Sequence, residues 1–342
     1  MGIAGRLVRD YSIPEAILWR WEPPVPHIPP ELLESSIFLY GSQRDAESGA
    51  NWGGSGVLVG FGAIKSRVHL YAATNTHVAE QCPVIRLIKH SKGSTEPYIL
   101  VGTADDWWFH PDGDDLAIRS LGMWPDYAVS YVSHRLLIAR DNVRPFMLGP
   151  GDDCLMIGRY INHDLQQFDR PTVRFGNIAM LPERIYQEER TFHQESFLVD
   201  MRSHSGFSGS PVFVYYEEPR NRWGGSDGPV SGAMGKTWLL GIDWGHLPIW
   251  TDIREGRQTV GRAAVSGGMA GVVPAWKLRE LLDEKERKME RSKAEEELRD
   301  SPEGAAVLDA NTTDEFDRFN ELAKRLVAVP KRDMDQSRGN ES

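Results

Sequence analysis

Short apolar runs alternate with turn-forming residues along most of this chain, and that alternation restricts the fold more than any other feature of the sequence. From Ser36 to about Val273 the runs are rich in Val, Ile, Leu, Tyr and Phe, and Gly, Asp, Pro and Asn separate them. Twelve such runs cover residues 37–40, 56–61, 68–73, 84–89, 98–101, 116–121, 154–158, 173–180, 197–201, 211–216, 238–242 and 271–273. Many short strands with turn signals between them predict an all-β sandwich or barrel of about two domains' size.

The segments on either side of this β-rich region have different compositions. Residues 1–35 contain the proline-rich stretch 22–30, whose missing backbone donors favour an extended path, so we predict an N-terminal arm. Residues 276–342 are dense in Glu, Lys and Arg, and we predict a charged tail that is partly helical and partly disordered.

Two stretches of this tail have helical spacing. The first indicates a solvated helix that leaves the β-rich region, and its apolar positions are Leu278, Leu281, Leu282 and Met289. The second follows Thr312 and collects its apolar residues on one face, namely Phe316, Phe319, Ala323 and Leu326. These helices are candidate docking surfaces for a second copy of the chain or for a regulatory partner.

The bulk composition excludes several classes of protein. With 342 residues, 40% of them hydrophobic and 26% charged, the chain has the composition of a globular protein. Its net charge of −10 and the lack of a long Lys/Arg block argue against a nucleic-acid partner. Arg6, Arg9 and Asp10 stand where a signal peptide needs its apolar run, and no stretch approaches ~18 uncharged apolar residues. We therefore expect no membrane span and a cytoplasmic location.

The cysteine and histidine content argues against disulfides and metal. The two cysteines, Cys82 and Cys154, are too few for a disulfide-dense scaffold in a chain of this length, and we predict that both are free and buried. The ten histidines show no H-x-x-x-H or cysteine spacing that would hold zinc, so we predict neither a metal nor another cofactor.

Residues 203–213 form a turn of small residues that opens directly into a predicted strand. A serine hydroxyl needs a base to take its proton, and a developing oxyanion needs donors set in advance. Gly206 allows a tight turn in which the amides of Gly206 and Ser208 point into one hole, and Gly209 keeps the approach clear. Taken alone, the segment is equally typical of a simple Gly/Ser hairpin loop.

Two further segments supply the partners that such a serine would need. His77 follows the run 68–73 at the exit of a predicted strand, where a general base could face a cleft. Asp115 stands immediately before an apolar strand, where a partly buried carboxylate could hold an imidazole in one tautomer. Each of these residues alone is more often structural.

Five segments, in order along the chain, resemble the landmarks of trypsin-like serine proteases. They are Gly-Ser-Gly-Val-Leu-Val at 54–59, Ala-Thr-Asn-Thr-His-Val at 73–78, Asp-Leu-Ala-Ile at 115–118, Gly-Phe-Ser-Gly-Ser-Pro at 206–211 and Leu-Gly-Ile-Asp-Trp-Gly at 240–245. The likeness is closer to the bacterial, disulfide-free branch that includes the high-temperature-requirement proteases than to digestive enzymes. The gaps 115 − 77 = 38 and 208 − 115 = 93 agree with the chain order His, Asp, Ser.

The resemblance covers residues 36–275 and implies two six-stranded antiparallel barrels, at about 36–130 and 140–275, that meet at a cleft. It implies that the first barrel supplies His77 as base and Asp115 as its orienting carboxylate. The second barrel would supply Ser208 as nucleophile and the oxyanion amides of Gly206 and Ser208. The implied activity is that of a serine endopeptidase, which cleaves a protein or peptide substrate through an acyl-enzyme.

The resemblance also implies where a substrate would bind. Residues Asp243, Trp244 and Gly245 correspond to the strand that pairs with the substrate backbone, although Asp243 replaces a common serine. Arg202 corresponds to the floor of the primary specificity pocket, where it could select an acidic side chain or could instead pair with Asp200 or solvent.

Two other positions depart from the family pattern. Phe207 replaces the aspartate that zymogen-activated members pair with a new N-terminus, and Ser210 replaces a glycine. Because Phe207 cannot form that charge pair, we expect the flanking tails to regulate activity and residues 36–275 to fold without them.

Two alternatives remain beside the peptidase. A serine esterase would need Gly-x-Ser-x-Gly between a strand and a helix, with its triad in the order Ser, Asp, His, and the chain departs from both requirements. A protease-like module that binds without turnover would keep the same residues, and no sequence feature distinguishes it from an active enzyme.

Overall fold

The computed structural model describes residues 28–64, 66–87, 97–126, 128–144, 148–159, 171–187, 190–201, 206–215 and 237–300. Most of the predicted proline-rich arm and the predicted amphipathic face with Phe316, Phe319, Ala323 and Leu326 lie outside these residues. The domain boundaries stay predictions.

The described residues form fourteen strands and five α-helices. The strands are β1 (Ser36–Tyr40), β2 (Trp52–Ile64), β3 (Arg67–Thr74), β4 (Val84–Leu87), β5 (Tyr98–Leu100), β6 (Trp108–Phe109), β7 (Ala117–Pro125), β8 (Val132–Ser133), β9 (Asp153–Gly158), β10 (Thr172–Gln187), β11 (Phe192–Asp200), β12 (Pro211–Tyr215), β13 (Thr237–Glu255) and β14 (Gln258–Pro274). The helices are α1 (Pro30–Glu34), α2 (Gln43–Ser48), α3 (Thr76–Gln81), α4 (Ala275–Leu282) and α5 (Lys285–Asp300). The prediction of an all-β protein with a helical C-terminal extension is confirmed.

The N-terminal half is a single sheet of eight strands. Its order is β5-β4-β1-β2-β3-β7-β6, and β8 pairs in parallel with β2. The neighbours along the main path are antiparallel, as in the register Val57↔Ala73 between β2 and β3. Six strands were predicted here, and the two additional ones are the two-residue strands β6 and β8. Within the described residues the pairings leave this sheet open at β5 and β6.

The C-terminal half is a closed barrel of six antiparallel strands, as predicted. The order around the barrel is β10-β11-β14-β13-β12-β9, and β9 pairs with β10 to close it. Closure satisfies the backbone groups that would otherwise be exposed at two sheet edges.

Strands β13 and β14 extend beyond the barrel as a two-stranded ribbon. Their pairing continues from Gly241↔Pro274 inside the barrel to Glu255↔Gln258 at the tip, with irregularities on the way. Residues of the ribbon that are exposed and apolar are Ile249, Trp250, Ile253, Val260 and Val265.

Helix α4 is part of the core, which corrects the predicted solvated helix. Leu278, Leu281 and Leu282 are fully buried, and they belong to the same apolar cluster as Tyr71 of the first sheet and Leu155 of the barrel. The prediction was wrong because it gave the charged residues of this eight-residue helix more weight than its leucines. The apolar face of α4 packs against residues of both halves. Residues 36–275 therefore lack part of their own core.

Helix α5 packs across the first sheet through its polar side chains. Nη1 of Arg291 donates to the Tyr71 hydroxyl at 3.2 Å and to the Leu282 carbonyl at 2.8 Å. Nε2 of His69 in β3 lies 3.1 Å from Oε1 of Glu295. The charges of α5 thus partly serve as contacts, whereas Met289 is 61% exposed, as expected of a solvated face.

Both cysteines are free, as predicted. Cys154 is buried, but Cys82 is only partly buried, which corrects the expectation for that residue. Within the described parts of the chain, no helix combines the length and the apolar character needed to cross a membrane.

Candidate active site

His77 and Asp115 meet beside two paired strands of the first sheet. The pairing Thr74↔Ala117 joins the end of β3 to the start of β7, so the residues just after Thr74 lie beside those just before Ala117. Nδ1 of His77 lies 2.8 Å from Oδ2 of Asp115, and the His77 amide donates to Oδ1 of Asp115 at 3.3 Å. Register alone therefore brings these two predicted site residues together.

The Asp115 carboxylate is charged although it is buried. Its side chain is 1% exposed, whereas that of His77 is 32% exposed. Burial raises the pKa of Asp115, but the hydrogen bonds and charge of His77, together with the charge of Arg190, outweigh burial and hold this pKa below its usual value. A permanent carboxylate on one side and an accessible ring on the other orient the imidazole with Nδ1 as donor.

The sequence contains adjacent aspartates, and the structure separates their roles. The Asp114 carboxylate is bonded to residues other than His77. Its Oδ1 accepts from Nε2 of Gln194 at 2.7 Å, and its Oδ2 lies 3.0 Å from Nζ of Lys277 on α4. Asp115 is the member of the pair that contacts the histidine, as the sequence analysis assumed.

Ser208 lies in the turn that leads into β12 of the barrel, and this turn is bonded to β2 of the first sheet. The Ser208 carbonyl accepts from the Ser55 amide at 2.8 Å, and the Ser55 hydroxyl donates to the Gly206 carbonyl at 3.1 Å. These bonds cross between the two halves of the molecule. The Gly-Ser-Gly segment at 54–56 thus has a structural reason, because β2 must approach the turn closely.

Gly54 links the Ser208 turn to the helix that carries His77. A Cβ at Gly54 would lie 2.6 Å from Cγ1 of Val78 and 3.0 Å from the Ser208 carbonyl oxygen. Val78 follows His77 in α3, so the serine turn and the start of this helix share one neighbour. The structure therefore brings Ser208 into the same region as the His77 and Asp115 pair.

Two glycines of the serine turn occupy places where a side chain would not fit. Gly209 has φ +88°, and a Cβ there would lie 1.9 Å from the Ser55 carbonyl oxygen and 2.2 Å from Oγ1 of Thr74. Gly206 has φ +93°, and a Cβ there would overlap the ring of Trp52 at 1.5 Å. Only glycine combines this backbone conformation with so close an approach.

The two amides predicted to form an oxyanion hole are open. Within the described residues, no hydrogen bond takes up the backbone N–H of Gly206 or of Ser208. The neighbouring Gly209 and Ser210 amides are bonded to the carbonyls of Asp243 and Phe207, both at 2.8 Å. The oxyanion role of the Gly206 and Ser208 amides stays a prediction.

The residues predicted to bind substrate have different surroundings. Asp243 is fully buried, and its backbone amide and carbonyl are bonded to Ser210 and Gly209 of the serine turn. Nε1 of Trp244 donates to the Ser196 hydroxyl at 2.9 Å, and Gly245 pairs with Gly271 of β14. Arg202 lies outside the described residues, so its role as a pocket floor stays a prediction, as do the substrate-binding roles of Asp243, Trp244 and Gly245.

Two residues that contact Asp115 escaped the sequence analysis. Nη1 of Arg190 lies 2.5 Å from Oδ1 of Asp115, and Oε1 of Gln194 accepts from the Asp115 amide at 2.7 Å. Both stand at the β10–β11 hairpin, 75 and 79 positions from Asp115. No local pattern marks them, since only the docking of the two halves brings the hairpin to the carboxylate.

One group of side chains in the described residues has the geometry of metal ligands. Ligand atoms of His110, Asp112 and Asp114 lie within 4.8 Å of one another. The ammonium of Lys277 is 3.0 Å from Asp114 and 3.9 Å from Asp112, so a cationic side chain already lies against both carboxylates. We assign no metal to this group.

Comparisons with known proteins give similarity in fold only. No protein-family model matches the sequence, and no curated protein matches it. Among solved structures, the protease domain of MamO from Magnetospirillum magneticum is 14% identical with a TM-score of 0.44, over 74% of this chain and 98% of that one. The HtrA-type protease AlgW is 18% identical with a TM-score of 0.39, over 74% of this chain and 61% of that one. Deg5 is 16% identical with a TM-score of 0.37, over 63% of this chain and 81% of that one. At 14–18% identity, the likeness to the MamO protease domain, to the HtrA-type protease AlgW and to Deg5 concerns the fold alone.

Proposed function

We propose that this protein is a serine endopeptidase in which Ser208 attacks a peptide carbonyl, His77 takes and returns the proton, and Asp115 orients His77. The substrate would be a protein or peptide, and the chemistry needs no cofactor. A cytoplasmic location, and a second copy or regulatory partner on the C-terminal helices, belong to the same proposal.

The observation that carries the proposal is the contact of 2.8 Å between His77 and the buried carboxylate of Asp115. Because Nδ1 of the neutral imidazole donates to this carboxylate, the lone pair lies on Nε2, which is the atom a general base needs. The fixed negative charge of Asp115 also stabilises the imidazolium that forms when the serine proton is taken. A histidine with a purely structural role requires neither a buried charged partner at one ring nitrogen nor a partly exposed ring on the other side.

The serine turn supports the second half of the mechanism. The open amides of Gly206 and Ser208 can donate to the oxyanion of the tetrahedral intermediate, and preset donors of this kind are typically worth about 10²–10³ each in kcat. Proton transfer requires the Ser208 hydroxyl to come within hydrogen-bond reach of Nε2 of His77. Such hydrogen bonds often tighten only when substrate binds.

The surroundings of Ser208 favour a peptidase over an esterase. The esterase nucleophile stands between a strand and a helix. In this protein the turn leads straight into strand β12, which pairs with β13 and β9 inside the barrel.

Labelling with a fluorophosphonate probe tests the proposal, because the probe reacts with an activated serine and needs no knowledge of the substrate. We expect wild-type protein to be labelled and Ser208→Ala to be unlabelled, with a loss in kcat on a protein substrate on the order of 10⁶. Ser210→Ala is the matched control, since this hydroxyl lies two positions away in the same turn but is buried.

The outcomes of this experiment separate the candidate functions. Labelling that persists in folded Ser208→Ala would contradict the assignment of the nucleophile. A folded wild-type protein that reacts with no probe and cleaves no protein would be the binding module.

A further inference from the structure

Arg190 reaches the Asp115 carboxylate from the opposite half of the molecule. It stands in the turn between β10 and β11 of the barrel, and its Nη1 lies 2.5 Å from Oδ1 of Asp115. The side chain of Asp115 is 1% exposed and that of Arg190 is 26% exposed. The guanidinium therefore covers a carboxylate that water does not reach, which distinguishes the contact from an exposed surface ion pair of little energetic value.

The β10–β11 hairpin carries Arg190 and contacts the segment with Asp114 and Asp115 through a second residue as well. Gln194 of β11 accepts from the Asp115 amide and donates to Oδ1 of Asp114, both at 2.7 Å. Thr191 has φ +52°, and its hydroxyl donates to the Arg190 carbonyl at 2.7 Å. Gln194 thus ties the strand that follows Arg190 to the segment that contains Asp114 and Asp115.

The two oxygens of the Asp115 carboxylate have different partners, a histidine ring and an arginine guanidinium. Oδ2 lies against Nδ1 of His77, and Oδ1 lies against Arg190. A carboxylate shared with an arginine presents less negative potential to the imidazole, and the arginine charge opposes a second positive charge nearby. Protonation of His77 is therefore less favourable with Arg190 in place than without it.

The other charged groups around the pair are occupied elsewhere. Asp114 precedes Asp115 but is bonded to Gln194 and paired with Lys277 of α4, and its Oδ2 lies 3.2 Å from Nδ1 of His110. Within the described residues, the charged groups acting on the Asp115 carboxylate are His77 and Arg190. Asp243 of β13 is buried, and its backbone is bonded to the serine turn.

We propose that Arg190 is a positioning residue of the site: it fixes the Asp115 carboxylate for His77 and keeps the His77 imidazole neutral at lower pH than Asp115 alone would allow. The catalytic consequence rests on the proposed function, whereas the charge interaction does not depend on turnover. The catalytic consequence and the charge interaction can therefore be tested by separate experiments.

The first experiment compares the pH dependence of kcat/KM on a protein substrate for four full-length proteins: wild type, Arg190→Gln, Arg190→Lys and Arg140→Gln. We expect Arg190→Gln to move the acid limb upward by about one pH unit, because the imidazolium gains the undivided carboxylate. Arg190→Lys keeps the charge and should leave the limb near its original position. Arg140→Gln removes an equal charge 2.7 Å from Glu195 of the same barrel, and it should not move the limb.

The second experiment measures the charge interaction without catalysis. The ring signals of His77 are titrated by NMR in full-length Ser208→Ala protein, with and without Arg190→Gln, and the signal is assigned by its absence in His77→Gln. The upward shift of about one unit is expected here too. If the shift is present but no variant or wild-type protein has peptidase activity, the proposed function fails and the role of Arg190 stands.

Two results would overturn the inference. One is an unchanged His77 titration in Arg190→Gln. The other is a uniform loss of kcat/KM at all pH values with an unmoved acid limb in both Arg190 variants, which would make Arg190 a purely structural contact.

Discussion

Replacement of Leu278 by alanine tests whether α4 belongs to the core. Leu278 is fully buried and lies in the cluster that contains residues of both halves, such as Tyr71 and Leu155. The change removes three carbon atoms, which corresponds to about 2.4 kcal/mol of transfer free energy at about 0.8 kcal/mol per methylene. The cavity that remains raises the usual cost of Leu→Ala to about 2–5 kcal/mol. We therefore expect Leu278→Ala to lower the free energy of unfolding by about 3 kcal/mol, out of a total of about 5–15 kcal/mol.

The assay is urea unfolding of the full-length protein, followed by tryptophan fluorescence and by circular dichroism. For a chain of this size the urea m-value should be about 3 kcal/mol/M, so the midpoint should fall by about 1 M. Met289→Ala is the matched control, because this side chain is 61% exposed on α5 and its loss should change stability by less than about 0.5 kcal/mol. Equal midpoints for the two variants would refute the assignment of α4 to the core, and a fragment of residues 36–275 would then be expected to fold.

Two further predictions follow from the serine turn and from the cysteines. Gly209→Ala should abolish probe labelling and destabilise the protein, because its Cβ would fall 1.9 Å from the Ser55 carbonyl oxygen. The control is Gly149→Ala, which has no atom within 4 Å of the added Cβ and should retain both labelling and stability. A labelled Gly209→Ala protein would contradict the described packing. Burial raises the pKa of Cys154 to about 12, so iodoacetamide at pH 8 should modify only the partly exposed Cys82 in native protein and both cysteines after unfolding. Equal rates of modification in native protein, measured by mass spectrometry, would show that Cys154 is not buried.

The strands were predictable where their apolar residues face a core. Each of the twelve predicted runs overlaps a strand, and β1 illustrates why, since all five of its residues are buried. The two-residue strands β6 and β8 carry too short a pattern to be recognised. The ribbon of β13 and β14 was missed for another reason: most of its side chains are exposed, and residues such as Pro248 and Asp252 resemble turn residues.

The site was predictable to the extent that its groups are ordered along the chain. His77, Asp115 and the Ser208 turn each have a local pattern, and the register between β3 and β7 brings the first two together. Arg190 has no such pattern, because its significance depends on a hairpin of one half docking against a loop of the other. Helix α4 was misjudged because charge content was weighed more heavily than its buried leucines, and burial depends on partners that are distant in sequence.

The hydrogen bonds between Ser55 and the serine turn also bear on when the site forms during folding. The two ends of the contact from Ser55 to Gly206 are 151 positions apart, so it cannot form until the chain has closed a very long loop. During synthesis the first sheet is complete long before the turn emerges, and the His77 and Asp115 pair then has no serine beside it. If the proposed function holds, a partly made chain therefore has no complete site, and the Ser208 turn reaches His77 and Asp115 only after both halves have docked.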